Sequence, residues 1–118
     1  MTPEEKDLVL RDICARLPYG VKANSRDGKK IITITPIGIA NFMSGAIDII
    51  KPYLRPMSSM TEEEQKEYHK TFRAEVYGSG YTYVESIGSF DWLNKKMFDY
   101  RGLIPGLALE ASEGMYNT

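Results

Sequence analysis

The stretch Lys30-Ile-Ile-Thr-Ile-Thr-Pro-Ile-Gly-Ile-Ala-Asn-Phe-Met-Ser-Gly45 decides how this chain is read. Ile32 and Ile34 fall on one face of an extended segment and Thr33 and Thr35 on the other, the alternation of a half-buried strand over 30–35. The β-branched side chains suit a pleated surface. Pro36 has no amide to give to a ladder, so it ends the strand or forces a bulge at a sheet edge. Residues 37–42 and 46–51 flank Met43-Ser-Gly45 and read as a second hairpin. A short helix across 39–50 is the alternative, opposed by Gly38 and Gly45.

Toward the N-terminus the pattern is helical. Thr2 can cap, Pro3 suits the first helical position, and Glu5 closes a capping box. Leu10, Ile13, Cys14 and Leu17 at i, i+3, i+4 and i+7 predict a helix over 3–17, with Cys14 as a small buried hydrophobe in its stripe. Pro18 and Gly20 end it. A short strand over 20–23 and turn residues Ser25-Arg-Asp-Gly28 lead into the deciding stretch.

Toward the C-terminus, Lys51-Pro-Tyr-Leu-Arg-Pro56 is extended, because each proline biases the residue before it away from helix. Ser59 with Glu62, or Thr61 with Glu64, starts a surface helix over 60–73 whose apolar face is only Tyr68 and Phe72. Residues 75–84 read as a hairpin around Gly78-Ser-Gly80, with Tyr81 and Tyr83 on one face and Tyr77 opposite Tyr81. Ser89 or Asp91 caps a last helix over 89–100. Leu107-Ala-Leu109 is a final strand or a docked extended segment, and 112–118 a flexible tail.

The sum is an α+β fold, one domain over 1–111, with a small, mostly antiparallel sheet from 20–23, 30–35, 37–42, 46–51 and 75–84 and about three helices. The expected core is Leu10, Ile13, Leu17, Ile32, Ile34, Phe72, Phe90, Leu93 and Met97.

Composition narrows the function classes. At 118 residues, 42% apolar and 26% charged, the chain has the balance of an ordered globular domain rather than a disordered one. A net charge of −1 provides no global field toward nucleic acid or an anionic membrane. One cysteine allows neither an intrachain disulfide nor a cysteine-based zinc cage. The N-terminus is acidic where a signal peptide is basic and apolar, and no apolar run approaches the roughly 20 residues of a bilayer span. The expectation is a cytoplasmic protein with no membrane partner.

Catalytic chemistry is thinly represented. His69 is the only histidine, with Gln65, Lys66 and Arg73 as helical neighbours, none a good metal ligand. Asp91 and Asp99 could act as an acid–base pair, but on one helix they lie roughly 12 Å apart along the axis. Gly78-Ser-Gly80 lacks both the nucleophile-elbow frame and a phosphate-loop lysine. No catalytic residue, cofactor or metal site is expected. Aromatic anchors are plentiful instead, with eight tyrosines. Tyr77, Tyr81 and Tyr83, with Lys70 and Arg73 nearby, form the candidate binding surface, one chemically suited to a protein or to a single-stranded nucleic acid. Arg101 and Gly102 are assigned a structural cap at the end of the last helix.

Three blocks carry a resemblance. Lys51-Pro-Tyr-Leu-Arg-Pro-Met-Ser-Ser-Met-Thr-Glu-Glu-Glu64 and Asp91-Trp-Leu-Asn-Lys-Lys-Met-Phe-Asp-Tyr-Arg-Gly-Leu-Ile104, continuing to Gly106-Leu-Ala-Leu-Glu-Ala111, together with Cys14-Ala-Arg-Leu-Pro-Tyr-Gly-Val21, resemble a family of small uncharacterised proteins from gut Bacteroidales and their phages or mobile elements. The resemblance implies an accessory role in a bacterial or phage cytoplasm and carries no established activity. Together with the missing catalytic inventory, it favours a non-catalytic binding or regulatory module acting through aromatic and arginine anchors on a protein partner. The alternatives are a small hydrolase using His69 or the Asp91/Asp99 pair, and a single-strand binder using the tyrosine hairpin, which net charge does not support.

Overall fold

The computed structural model describes residues 2–24, 30–45 and 51–116. The Thr2 side chain accepts from the Glu5 amide at 3.1 Å while Glu5 accepts from the Thr2 amide at 2.8 Å, the reciprocal cap that starts helix α1, Pro3–Arg16. A 3₁₀ turn over Leu17–Tyr19 follows, and Gly20 closes it at φ +77°. The inward face of α1 is Val9, Asp12, Ile13 and Arg16. The expected stripe is therefore turned. Leu10 and Leu17 are half-buried at its margin, and Cys14 is exposed. A charged pair, Asp12 and Arg16, occupies the place that hydropathy assigned to apolar groups.

Strand β1, Lys22–Asn24, pairs antiparallel with β2, Ile31–Thr33. Beyond it the second expected hairpin does not form. Residues 36–43 are helix α2, Pro36–Met43, capped by Thr35, whose hydroxyl accepts from the Gly38 amide at 3.1 Å. The proline that stops the strand also starts the helix, since its missing amide is an orphan there in any case. Ile39 and Phe42, three apart, are its buried residues. The expected turn at 25–28 and the strand at 46–51, Lys51 apart, lie outside the described residues.

Strand β3, Tyr53–Leu54, runs extended between its prolines as the sequence predicts. Helix α3, Glu62–Lys70, carries the Thr61–Glu64 capping box and buries no residue. It is shorter than 60–73, and Arg73 belongs to strand β4, Arg73–Tyr77, which pairs antiparallel with β5, Gly80–Val84. Helix α4, Ile87–Lys95, starts two residues earlier than expected, with Ser86 as cap and Ser89 buried at the third helical position. Its C-terminal reversal falls at Met97, not Gly102. Met97 has φ +64°, its amide bonds the Asn94 carbonyl at 3.1 Å, and the Phe98 amide bonds the Leu93 carbonyl at 2.9 Å. Those are the paired bonds of a Schellman motif, here built on a non-glycine residue whose side chain is fully buried. Strand β6, Leu109–Glu110, pairs parallel with β3.

The fold is α+β. Among the described residues there are four α-helices and, in place of one sheet, three two-stranded ladders. Single bridges extend them: Ala23 lies opposite Pro52, between the β1 and β3 ladders, and Arg55 lies beside Phe98, in the turn after α4. Val9, Ile13, Val21, Ala23, Ile34, Ile39, Phe42 and Met97 form the main core, and Leu54, Leu103 and Ala108 a second cluster. Leu93 is fully buried. Ile32 and Phe90, both expected inside, are exposed, one on the outer strand of a ladder and the other on the outer side of α4. No helix among the described residues is long and apolar enough to cross a membrane.

The segment expected to fray is docked as far as residue 116. The Tyr116 hydroxyl accepts from the Lys22 amide at 2.8 Å and donates to the Tyr53 carbonyl at 2.6 Å, while Lys22 Nζ donates to the Met115 carbonyl at 3.0 Å. Gly102 has φ +72° with open space where a Cβ would sit, whereas Gly106 has ordinary backbone and equal space. Gly102→Ala should therefore lower stability by about 1 kcal/mol through backbone strain alone, a fall of several degrees in Tm. Gly106→Ala should leave Tm unchanged or slightly raised in the same thermal melt.

Candidate functional site

Asp12 gathers two arginines around one buried carboxylate. Its side chain and that of Arg16 are both fully buried. Asp12 Oδ2 accepts from Arg16 Nε at 3.0 Å, and Oδ1 accepts from Arg16 Nη2 at 2.9 Å and from Arg101 Nη1 at 2.7 Å. Arg16 Nη2 also donates to the Phe98 carbonyl at 2.7 Å. The Tyr100 ring lies 5.3 Å from one guanidinium carbon and 4.7 Å from the other. Arg101 is thus held by a carboxylate 89 positions away in sequence, on α1, and not by Asp99. Asp99 accepts instead from the Leu103 and Ile104 amides, each at 2.9 Å, and so shapes the turn ahead of the cis Ile104–Pro105 bond.

A second construction joins α3 to α4. Tyr68 and Trp92 stack at 5.5 Å between ring centroids, Trp92 and Phe98 at 5.7 Å, and the Arg55 guanidinium lies 4.2 Å from the Phe98 centroid. Arg55 then binds Glu64 through both nitrogens, at 2.7 and 2.8 Å. These bonds hold the Glu64 carboxyl at about 2, well below its ordinary value, against the opposing effect of partial burial. Tyr68 bonds Glu85, and burial, then that carboxylate, pushes its phenol above the ordinary range. Trp92, Arg16, Arg55 and Arg101 are therefore structural members of the body.

A groove of about 450 Å³ lies between Arg55, Ser59 and Thr61 on one wall and Glu110, Ser112, Glu113 and Tyr116 on the other. Arg55 is committed to Glu64 and Phe98. Burial pushes the Tyr116 hydroxyl up to about 12, so it stays protonated, and it is bound to backbone. The groove offers hydroxyls and carboxylates, but its one arginine and its one phenol are occupied by the fold.

The tyrosine hairpin is the other candidate. Its two-residue turn, Gly78-Ser79, has φ +57° at Gly78 and makes Tyr77 the partner of Gly80 and Val76 the partner of Tyr81. Tyr77 opposite Tyr81, as the sequence predicts, needs a loop one residue longer. That single position moves Tyr77 to the other face. One face carries Ala74, Val76, Tyr81 and Tyr83, all apolar or aromatic. The opposite face carries Arg73, Glu75, Tyr77, Thr82 and Val84, where Arg73 pairs with Glu75 at 2.9 Å and Tyr77 also bonds Glu75. Lys70 ends α3 and Arg73 has left it, so the two do not continue one helical stripe with Lys66. The five candidate residues are divided between two faces and a helix end.

What the hairpin does present is apolar surface. Val76, Tyr77, Tyr81 and Tyr83 are exposed by 77, 62, 66 and 61%. Tyr81 and Tyr83 lie edge to face at 5.5 Å between centroids. Beyond its own ladder, the hairpin has no substantial packing against another element among the described residues. An isolated two-stranded ribbon is marginal in water, so this exposed apolar face is the candidate interaction surface. Sequence alone located this hairpin but not its two-faced register.

The catalytic candidates do not assemble. His69 is exposed on α3, its ring 6.0 Å from Tyr68 and 5.3 Å from Phe72. Asp91 is exposed on α4, and both oxygens of the buried Asp99 are taken by backbone amides. Among the described residues no three or more histidine, cysteine or carboxylate side chains gather where they could hold a metal. Comparison with known proteins finds no matching family model, no similar curated protein and no similar solved structure.

Two stability predictions follow from the buried charges. Asp12→Ala strips both guanidiniums of their carboxylate and should cost about 3–5 kcal/mol in urea unfolding, while Asp7→Ala, which removes only the exposed Arg11 pair, should change little. Glu64 is bound more tightly as a carboxylate in the folded state, so its contribution is complete above about pH 4.5 and is lost as pH falls toward about 2. The stability difference between wild type and Glu64→Gln should shrink steadily across that window.

Proposed function

We propose that this protein is a non-catalytic binding or regulatory module of a bacterial or phage cytoplasm, and that it engages a protein partner through the β4–β5 hairpin. The observation that carries the reading is the uncovered face of Ala74, Val76, Tyr81 and Tyr83 on a ribbon that stands apart from the body. Tyrosine is the residue type that contributes large, stiff, amphipathic contact area at an interface. Elsewhere the strongest anchor types, Trp92, Arg16, Arg55 and Arg101, are engaged in internal contacts.

A protein partner fits this face better than a nucleic acid does. A single strand needs cations beside its stacking rings to meet phosphate. Arg73 is paired with Glu75 on the face away from Tyr81 and Tyr83. The hydrolase alternative draws no support from the positions of His69, Asp91 and Asp99.

The test compares affinity capture from a native-host lysate by wild type, by the double variant Tyr81→Ser with Tyr83→Ser, and by Ile37→Ser, which alters an exposed apolar residue on α2. The hairpin variant should lose the wild-type partner and the α2 variant should keep it, with circular dichroism unchanged for both. Retention of the partner by the hairpin variant would show that the hairpin is not the binding surface.

A further inference from the structure

The identity of one partner can be argued from the hairpin's free edge, on the reading that the hairpin is the interaction surface. Strand β5, Gly80-Tyr-Thr-Tyr-Val84, carries no charge and reads nearly alike in both directions about Thr82. Natural edge strands are usually blunted by a charge, a proline or a bulge. This one has none of the three. Its partner β4 does carry charges, at Arg73 and Glu75.

The register determines which backbone groups are free. A two-residue turn makes Tyr77 and Gly80 a hydrogen-bonded pair, so bonded pairs recur at Glu75 with Thr82 and at Arg73 with Val84. Tyr81 and Tyr83 therefore direct their amides and carbonyls away from β4. Those groups form the template on which a further strand can add.

We propose that β5 pairs with the β5 of a second copy of this chain, antiparallel about a twofold axis through Thr82. Tyr81 of each copy then faces Tyr83 of the other in two hydrogen-bonded pairs, and the tyrosines of both copies line one face of a four-stranded sheet. The contact is isologous, as closed dimers require. The β5 pairing sets only neutral groups opposite neutral groups, whereas β4 carries Arg73 and Glu75, charges of the kind that blunt a natural edge. Both outer edges of the new sheet are β4, the strand that carries charge, which disfavours further strand addition. A pairing of two five-residue strands is small beside the roughly 1,000 Å² of a specific stable interface, so the dimer is reversible and concentration-dependent.

Sedimentation velocity of the full chain, from low-micromolar to several-hundred-micromolar concentration, should show a monomer–dimer equilibrium. Thr82→Lys places like charges on the axis while facing Glu75 within its own hairpin, so it should weaken association by roughly tenfold or more and leave the hairpin folded. In a Cys14→Ser background, Thr82→Cys should cross-link to a disulfide dimer under a mild oxidant, because residues on the axis face each other, and Ser79→Cys should not. A monomeric wild type, a dimer indifferent to Thr82→Lys, assembly beyond the dimer, or equal cross-linking at 79 and 82 would each overturn the proposal. Its failure is separable from that of the hairpin reading. A monomeric wild type whose capture of another protein still needs Tyr81 and Tyr83 overturns the second copy as partner and leaves the surface standing.

Discussion

The buried carboxylate of Asp12 is the constraint from which the rest of the structure follows. It sits on α1 and holds two arginines, one a turn away and the other close to the opposite end of the chain. Arg16 carries the connection on to the Phe98 carbonyl. Phe98 in turn bridges to Arg55, whose guanidinium covers the Phe98 ring and binds Glu64 in the capping box of α3. One line of charge-assisted bonds and ring contacts thus ties α1, the turn after α4, the β3 segment and α3 together. The three ladders are each too small to do this by backbone pairing alone. Two guanidiniums around one carboxylate leave an excess positive charge that Arg101, partly exposed, shares with solvent, and the Tyr100 ring lies beside both.

Much of the fold is legible where local chemistry decides it. The caps at Thr2 and Thr61, the extended prolines around Tyr53 and the tyrosine hairpin all follow from short-range rules and appear in place. The misreadings have physical causes. Ile37 and Ile39 look like strand residues, but Thr35 and Pro36 supply a cap and a first helical position that outweigh β-branching in so short an element. Cys14 looks buried because hydropathy cannot anticipate that Asp12 and Arg16 neutralise each other inside. The i, i+4 spacing of that pair was the available signal. Tyr77 changes face on a one-residue difference in turn length, which composition does not resolve.

The same bookkeeping separates body from surface. Aromatic and arginine anchors looked equally available in the sequence, yet the structure draws Trp92, Phe98, Arg16, Arg55 and Arg101 inward. What remains outside as a coherent patch is a tyrosine-rich ribbon with unpaired backbone along its edges, the β5 edge being the one without charge. A surface made of a strand edge and one apolar face suits the proposed recognition by strand addition, where backbone bonds supply affinity and alternate side chains supply specificity.

Residue-resolved hydrogen exchange at low and high protein concentration tests this account most directly. The Tyr81 and Tyr83 amides point away from β4 and should exchange quickly in dilute solution, then become protected as concentration rises. Thr82 and Val84, already bonded to β4, should change far less. Protection that is independent of concentration, or that appears on α2 or β2 while Tyr81 and Tyr83 stay fast, would contradict the claim that the β5 edge is where this protein is joined.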